Sequence, residues 1–167
     1  MEALGRLTHL RELSLGIHSY ESSPVLSAFA PVGAINCLDL GLCPHVTDNA
    51  LLGFHALNHL ETLDLSGGDQ LTDVGIEVLR SHTRLTSLDL SGCRQLSDYS
   101  LDVISGLTRL TSLNISECCQ VSQNKMCLHL LNYQQNVTTS YSLNRCISCE
   151  RIAPKLMLGI GGVPGCR

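Results

Sequence analysis

The chain repeats itself every 25 residues. "LETLDLSGGDQLTD" at 60–73 returns as "LTSLDLSGCRQLSD" at 85–98 and again as "LTSLNISECCQVSQ" at 110–123. Three columns of apolar residues run through the period. They are Leu10, Ile35, Leu60, Leu85 and Leu110; Leu13, Leu38, Leu63, Leu88 and Leu113; and Leu15, Leu40, Leu65, Leu90 and Ile115. All fifteen positions are Leu or Ile, and so strict a period fits a stacked repeat array better than a compact domain.

Within each unit the alternation of Leu63-Asp64-Leu65 predicts a short strand with one face buried. So short a strand needs its copies beside it. Stacked about 4.8 Å apart they form a parallel sheet whose leucines point into one core. Each buried Leu contributes about 1.5–3 kcal/mol, so three per unit make a substantial interface with the next. The second half of each unit predicts a helix. Leu51, Phe54 and Leu57, then Ile76 and Leu79, then Leu101, Ile104 and Leu107 follow helical spacing. Asp48, Asp73 and Asp98 share one position, each after Thr or Ser, and are expected as N-caps. In the first unit Ser23 takes that place, with Pro24 at the first helical position.

Leu4, Leu7 and Leu10 match Ile104, Leu107 and Leu110, so the chain is expected to open partway through a preceding helix. After Met126 the period fails. "VTTSYSLNRC" is expected to add a sixth strand with Tyr141 and Leu143 inward. The expected division is a solenoid over 1–135 and a C-terminal cap or irregular tail over 136–167.

These units resemble the cysteine-containing class of leucine-rich repeats, L-x-x-L-D-L-x-x-C-x-x-[LV]-[TS]-D. Cys43 with Val46-Thr47-Asp48, Cys93 with Leu96-Ser97-Asp98, and Cys118 with Val121-Ser122 carry the match. Gly68 and His18 stand in for the cysteine elsewhere, and Gln123 for the aspartate. The resemblance implies an α/β right-handed solenoid of about five repeats, strands concave and helices convex. It also implies protein recognition, since the class is best known from F-box proteins that present substrates to cullin–RING ubiquitin ligases. No F-box-like segment precedes residue 10, so ligase recruitment by this stretch is not expected.

Composition narrows the partner. A formal net charge of −4 argues against nucleic acid and anionic membranes, and no apolar run reaches the length of a membrane span. Nine cysteines are an odd number, and the repeat explains Cys43, Cys93 and Cys118 as small buried residues. A reducing compartment, cytoplasm or nucleus, is expected. "CISC" at 146–149 has the spacing of half a zinc site, but Cys119, Cys127, His129 and Cys166 complete no recognised pattern, so no metal or cofactor is expected. The glycines of "GIGGVPG" do not match a dinucleotide loop. The sequons at Asn114 and Asn136 are read as coincidental. No histidine forms a nucleophile–base pattern, and the chain is expected not to be an enzyme.

What remains is one surface. Between the inward leucines, Ser14, Asp39, Asp64, Asp89 and Asn114 form an exposed column. Glu12, Cys37, Thr62, Ser87 and Ser112 precede it, and Gly16, Gly41, Ser66, Ser91 and Ser116 follow it. The candidate partner-binding residues are Asp39, Asp64, Asp89, Asn114, Thr62, Ser66, Ser87 and Ser91, suited to a basic helix or loop. Two functions follow: an adaptor or substrate-recognition piece, with ubiquitin-ligase components as implied partners, or a structural subunit packed in a larger assembly.

Overall fold

The computed structural model describes residues 9–15, 34–43, 46–122, 125 and 138–140. Six strands form one parallel sheet in sequence order: β1 (Glu12–Ser14), β2 (Cys37–Asp39), β3 (Thr62–Asp64), β4 (Ser87–Asp89), β5 (Ser112–Asn114) and β6 (Thr138–Ser140). From β1 to β5 every residue pairs with the one 25 positions on, as in Leu38↔Leu63 and Leu63↔Leu88. The expected leucine columns are the core: Leu38, Leu63, Leu88 and Leu113 are at most 1% exposed, and Leu40, Leu65, Leu90 and Ile115 at most 3%. Leu10, Leu13 and Leu15 pack against this core from one end, partly buried. This is the stacked repeat array that the period predicts and the α/β leucine-rich-repeat solenoid that the resemblance implies.

The return segments depart from the expected helices. α1 (Asp48–Leu51) and α2 (Asp73–Ile76) last one turn each and continue as 3₁₀ helix over Leu52–Ala56 and Glu77–Ser81. α3 (Asp98–Ile104) stays α-helical for seven residues. Gly53 and Gly75 lie in the first two return segments, and glycine costs an α-helix about 1 kcal/mol relative to alanine. The 3₁₀ form also rises about 2.0 Å per residue rather than 1.5, so few residues cover more of the return path.

The capping aspartates are corrected as well. The N-caps are Thr47, Thr72 and Ser97, one residue earlier, and the aspartates are the first helical residues. Thr72 Oγ1 accepts from Val74 N, and Ser97 Oγ from Tyr99 N, both at 3.2 Å. The carboxylates instead reach the cap of the following repeat. Asp48 accepts from Thr72 N (2.9 Å) and Thr72 Oγ1 (2.6 Å), Asp73 from Ser97 N (3.0 Å) and Ser97 Oγ (2.5 Å), and Asp98 from Ser122 N (2.6 Å) and Ser122 Oγ (2.7 Å). Each hydroxyl therefore donates to the repeat behind it while accepting from its own helix. The aspartates do satisfy backbone N–H groups, but those of the neighbour, so they join repeats.

β6 pairs in a different frame from the one expected. Thr139 lies opposite Leu113, an offset of 26 residues, whereas placing Tyr141 there needs 28. Ser23, Pro24, Tyr141, Leu143 and the 146–149 cysteines lie outside the described residues.

Candidate protein-binding face

The face begins with a turn. Strands β2 to β5 each end at Asp or Asn, and that side chain accepts the backbone N–H two residues on: Gly41 N to Asp39 Oδ1 (2.9 Å), Ser66 N to Asp64 Oδ1 (2.8 Å), Ser91 N to Asp89 Oδ1 (2.8 Å) and Ser116 N to Asn114 Oδ1 (3.2 Å). Such local bonding is why Asp and Asn favour turns. Half of each carboxylate is thereby structural, and the other oxygen decides what the face can offer.

Along the column those second oxygens alternate in fate. Ser14 Oγ donates to Asp39 Oδ2 (2.6 Å), and Asn114 Nδ2 donates to Asp89 Oδ2 (2.9 Å). The row is closed by a donor at each end. In between, Asp64 has only acceptors beside it, since parallel pairing sets it between Asp39 and Asp89. Among the described residues no donor reaches Asp64 Oδ2. Beside it, the hydroxyls of Thr62 and Ser87 also lack partners there, and both residues are half-buried.

All eight expected residues fall in three registered rows on one sheet face. Thr62 pairs with Ser87, and Asp39 with Asp64, Asp64 with Asp89 and Asp89 with Asn114. The third row is carried by turn backbone, with Leu42 N on Ser66 O (2.7 Å) and Gly67 N on Ser91 O (2.6 Å). Ser91 Oγ is occupied by Asp89 Oδ1 (2.7 Å), which makes it a support of the carboxylate more than an open donor. Asn114 spends its amide nitrogen on Asp89 and its oxygen on Ser116 Oγ (2.7 Å), so its sequon sits in a bonded strand end. At one margin Arg84 Nη2 donates to Glu61 Oε1 (2.9 Å) and Nη1 meets His59 Nδ1 (3.0 Å), neutralising a carboxylate that would otherwise extend the negative field.

The repeat cysteines are structural. Cys43, Cys93 and Cys118 are buried, and each thiol donates to the strand carbonyl 28 residues earlier: Leu15 O (3.2 Å), Leu65 O (3.3 Å) and Leu90 O (3.2 Å). Burial pushes the Cys93 and Cys118 thiols up to about 12, far from the thiolate that metal binding or redox chemistry needs. Among the described residues no group of three or more His, Cys, Asp or Glu is placed to hold a metal ion, and no helix is long and apolar enough to cross a membrane.

Sequence reasoning passed over one residue. His82 occupies the position held by Leu57 and Leu107 in adjoining repeats, and it is 3% exposed. Setting the 25-residue columns side by side would have exposed a lone histidine among leucines.

The leucine-rich-repeat family model matches two stretches of the chain, 56–79 and 81–104. Two solved structures are similar. Internalin InlF of Listeria monocytogenes shares 24% identity at a TM-score of 0.64 over 83% of this chain and 37% of its own. Internalin C2 of the same organism shares 23% at a TM-score of 0.59 over 83% of this chain and 64% of its own. This chain thus spans less than two-thirds of either protein. No curated protein matches the sequence.

Proposed function

We propose that this leucine-rich-repeat array is a non-enzymatic protein-recognition module whose concave sheet binds a partner around Asp64. The carrying observation is the row closed at both ends and open in the middle: Asp64 Oδ2 has acceptors on either side and no donor among the described residues. A basic side chain from a partner supplies the missing donor, with the Thr62 and Ser87 hydroxyls beside it to complete the contact. The finer reading is substrate recognition of the ubiquitin-ligase kind. It rests on the resemblance of the Cys43, Cys93 and Cys118 units to F-box repeat proteins.

The test separates charge from fold. Asn114 fills the same turn as the aspartates, so Asp39→Asn, Asp64→Asn and Asp89→Asn together keep the turn bond and remove the charge. Affinity capture with mass spectrometry compares wild type with this triple variant. Partners held by wild type and lost from a folded variant support the concave face, and cullin or Skp-type proteins among them support the ligase reading. An identical set of partners from both baits sinks it.

A structural-subunit reading is favoured by a separate observation. On the helical side Leu52, Val74 and Tyr99 are 54%, 71% and 50% exposed. If the isolated chain self-associates and Leu52→Ser with Val74→Ser restores a monomer on size exclusion, that reading gains over the adaptor.

A further inference from the structure

The joins between repeats carry carboxylate–hydroxyl bonds, as from Ser97 Oγ to Asp73, and thiol–carbonyl bonds, as from Cys93 to Leu65 O. The contact made by His82 is different in kind. Its Nε2 lies 3.0 Å from Phe54 O in the preceding repeat, and its Nδ1 lies 3.2 Å from Val78 O in its own. Both ring nitrogens thus face carbonyl oxygens. A neutral imidazole has one N–H, so one nitrogen always presents a lone pair to an acceptor. Ser81 Oγ, 3.3 Å from Nδ1, can offset this with its proton, but the same hydroxyl is 3.0 Å from Val78 O and donates only once.

Geometry therefore invites a second proton, while the surroundings oppose it. His82 is 3% exposed, at a column position that is Leu57 before and Leu107 after. Burial holds its pKa below the ordinary histidine value against the pull of the Phe54 and Val78 carbonyls, and His55, on the 3₁₀ turn of the preceding repeat, pushes the same way. The charges on its own segment, Glu77 and Arg80, are exposed and paired with each other at 2.7 Å. On the repeat that follows, Asp102 is paired with Lys125 at 2.7 Å. Among the described residues no carboxylate is hydrogen-bonded to the ring.

We propose that His82 is a proton-sensitive joint of the array, where acidification loosens the stacking of its repeat on the one before. Solenoid stability is close to a sum of repeat terms and neighbour interfaces, so a charge placed in one interface weakens the array at that point. The folded-state pKa lies below the unfolded one, so the unfolded chain binds the proton first. Stability is full above about 6.5 and falls as pH drops from there toward the folded value, below which the loss is constant.

The experiment compares the full chain with His82→Leu, which places the residue of the neighbouring columns there, over pH 8 to 5 by chemical denaturation. The wild-type unfolding constant is expected to rise relative to the variant as pH falls, by at most about tenfold per pH unit for one proton. Titration of the His82 ring resonances by NMR needs no variant and is expected to show a midpoint below that of a free histidine peptide. Should His82→Leu fail to fold, His82→Gln, which retains one donor, takes its place in the comparison. Parallel pH profiles for wild type and variant, or an ordinary His82 midpoint, overturn the proposal.

Discussion

Asp73 holds three donors at once, the backbone N–H and hydroxyl of Ser97 and the hydroxyl of Ser100, across the join between two repeats. Burial alone would raise its pKa, but the bonds from Ser100 and Ser97 outweigh it and hold the carboxyl below the usual range. Asp73→Ala strands a half-buried N–H and is expected to cost about 1–3 kcal/mol, measured by urea denaturation at pH 7. Because the folded pKa is depressed, this contribution is present above about 3.9 and lost as pH falls through the folded value; the Asp73→Ala difference should therefore shrink in strong acid. The cysteines allow a chemical check. Cys119 is exposed while Cys93 and Cys118 are buried with thiols near 12, so alkylation of the native chain at pH 8 should mark Cys119 and spare the other two until denaturant is added. At this scale the sequence named the right residue types and missed some partners. Asp73 stands next to a helix start, and nothing within its own helix shows that its donors are 24 and 27 residues away.

Strands and return segments differ in how openly the sequence declares them. A strand of three residues is set by Leu-x-Leu alternation, repeated five times, and the 25-residue pairing follows without exception from β1 to β5. Leu90→Asp tests that frame: it sets an unpaired charge at a position 0% exposed and is expected to cost more than about 4 kcal/mol, abolishing the cooperative thermal transition by circular dichroism. The return segments carry apolar spacing that suits α and 3₁₀ helix nearly alike. Periodicity located them but did not divide α from 3₁₀, a change that falls after Leu51 and after Ile76. β6 was legible as a strand and not in register, because Thr139 meets Leu113 without the leucine that fixes every earlier pair.

Across the whole molecule, architecture is over-specified and recognition under-specified. Three leucine columns, an aspartate–hydroxyl staple and a thiol–carbonyl ladder all state the same stacking. The face around Asp64 was visible in the sequence as a column, yet its open carboxylate oxygen was not, since that depends on which neighbours are donors and which are acceptors. The staple also bears on how such chains change length. Every bond between repeats joins residues separated by one period or nearly so, and what it needs from the next unit is a type of atom, not a particular repeat. Excising 62–86 would bring Asp48 to the hydroxyl of Ser97 and the Cys93 thiol to the carbonyl of Leu40, partners of the same kind as those lost. The shortened chain should still fold cooperatively, with a lower melting temperature. A recombination event that removes or copies one whole period would then be inherited as a working protein of a new reach, whereas a slip of a few residues would not.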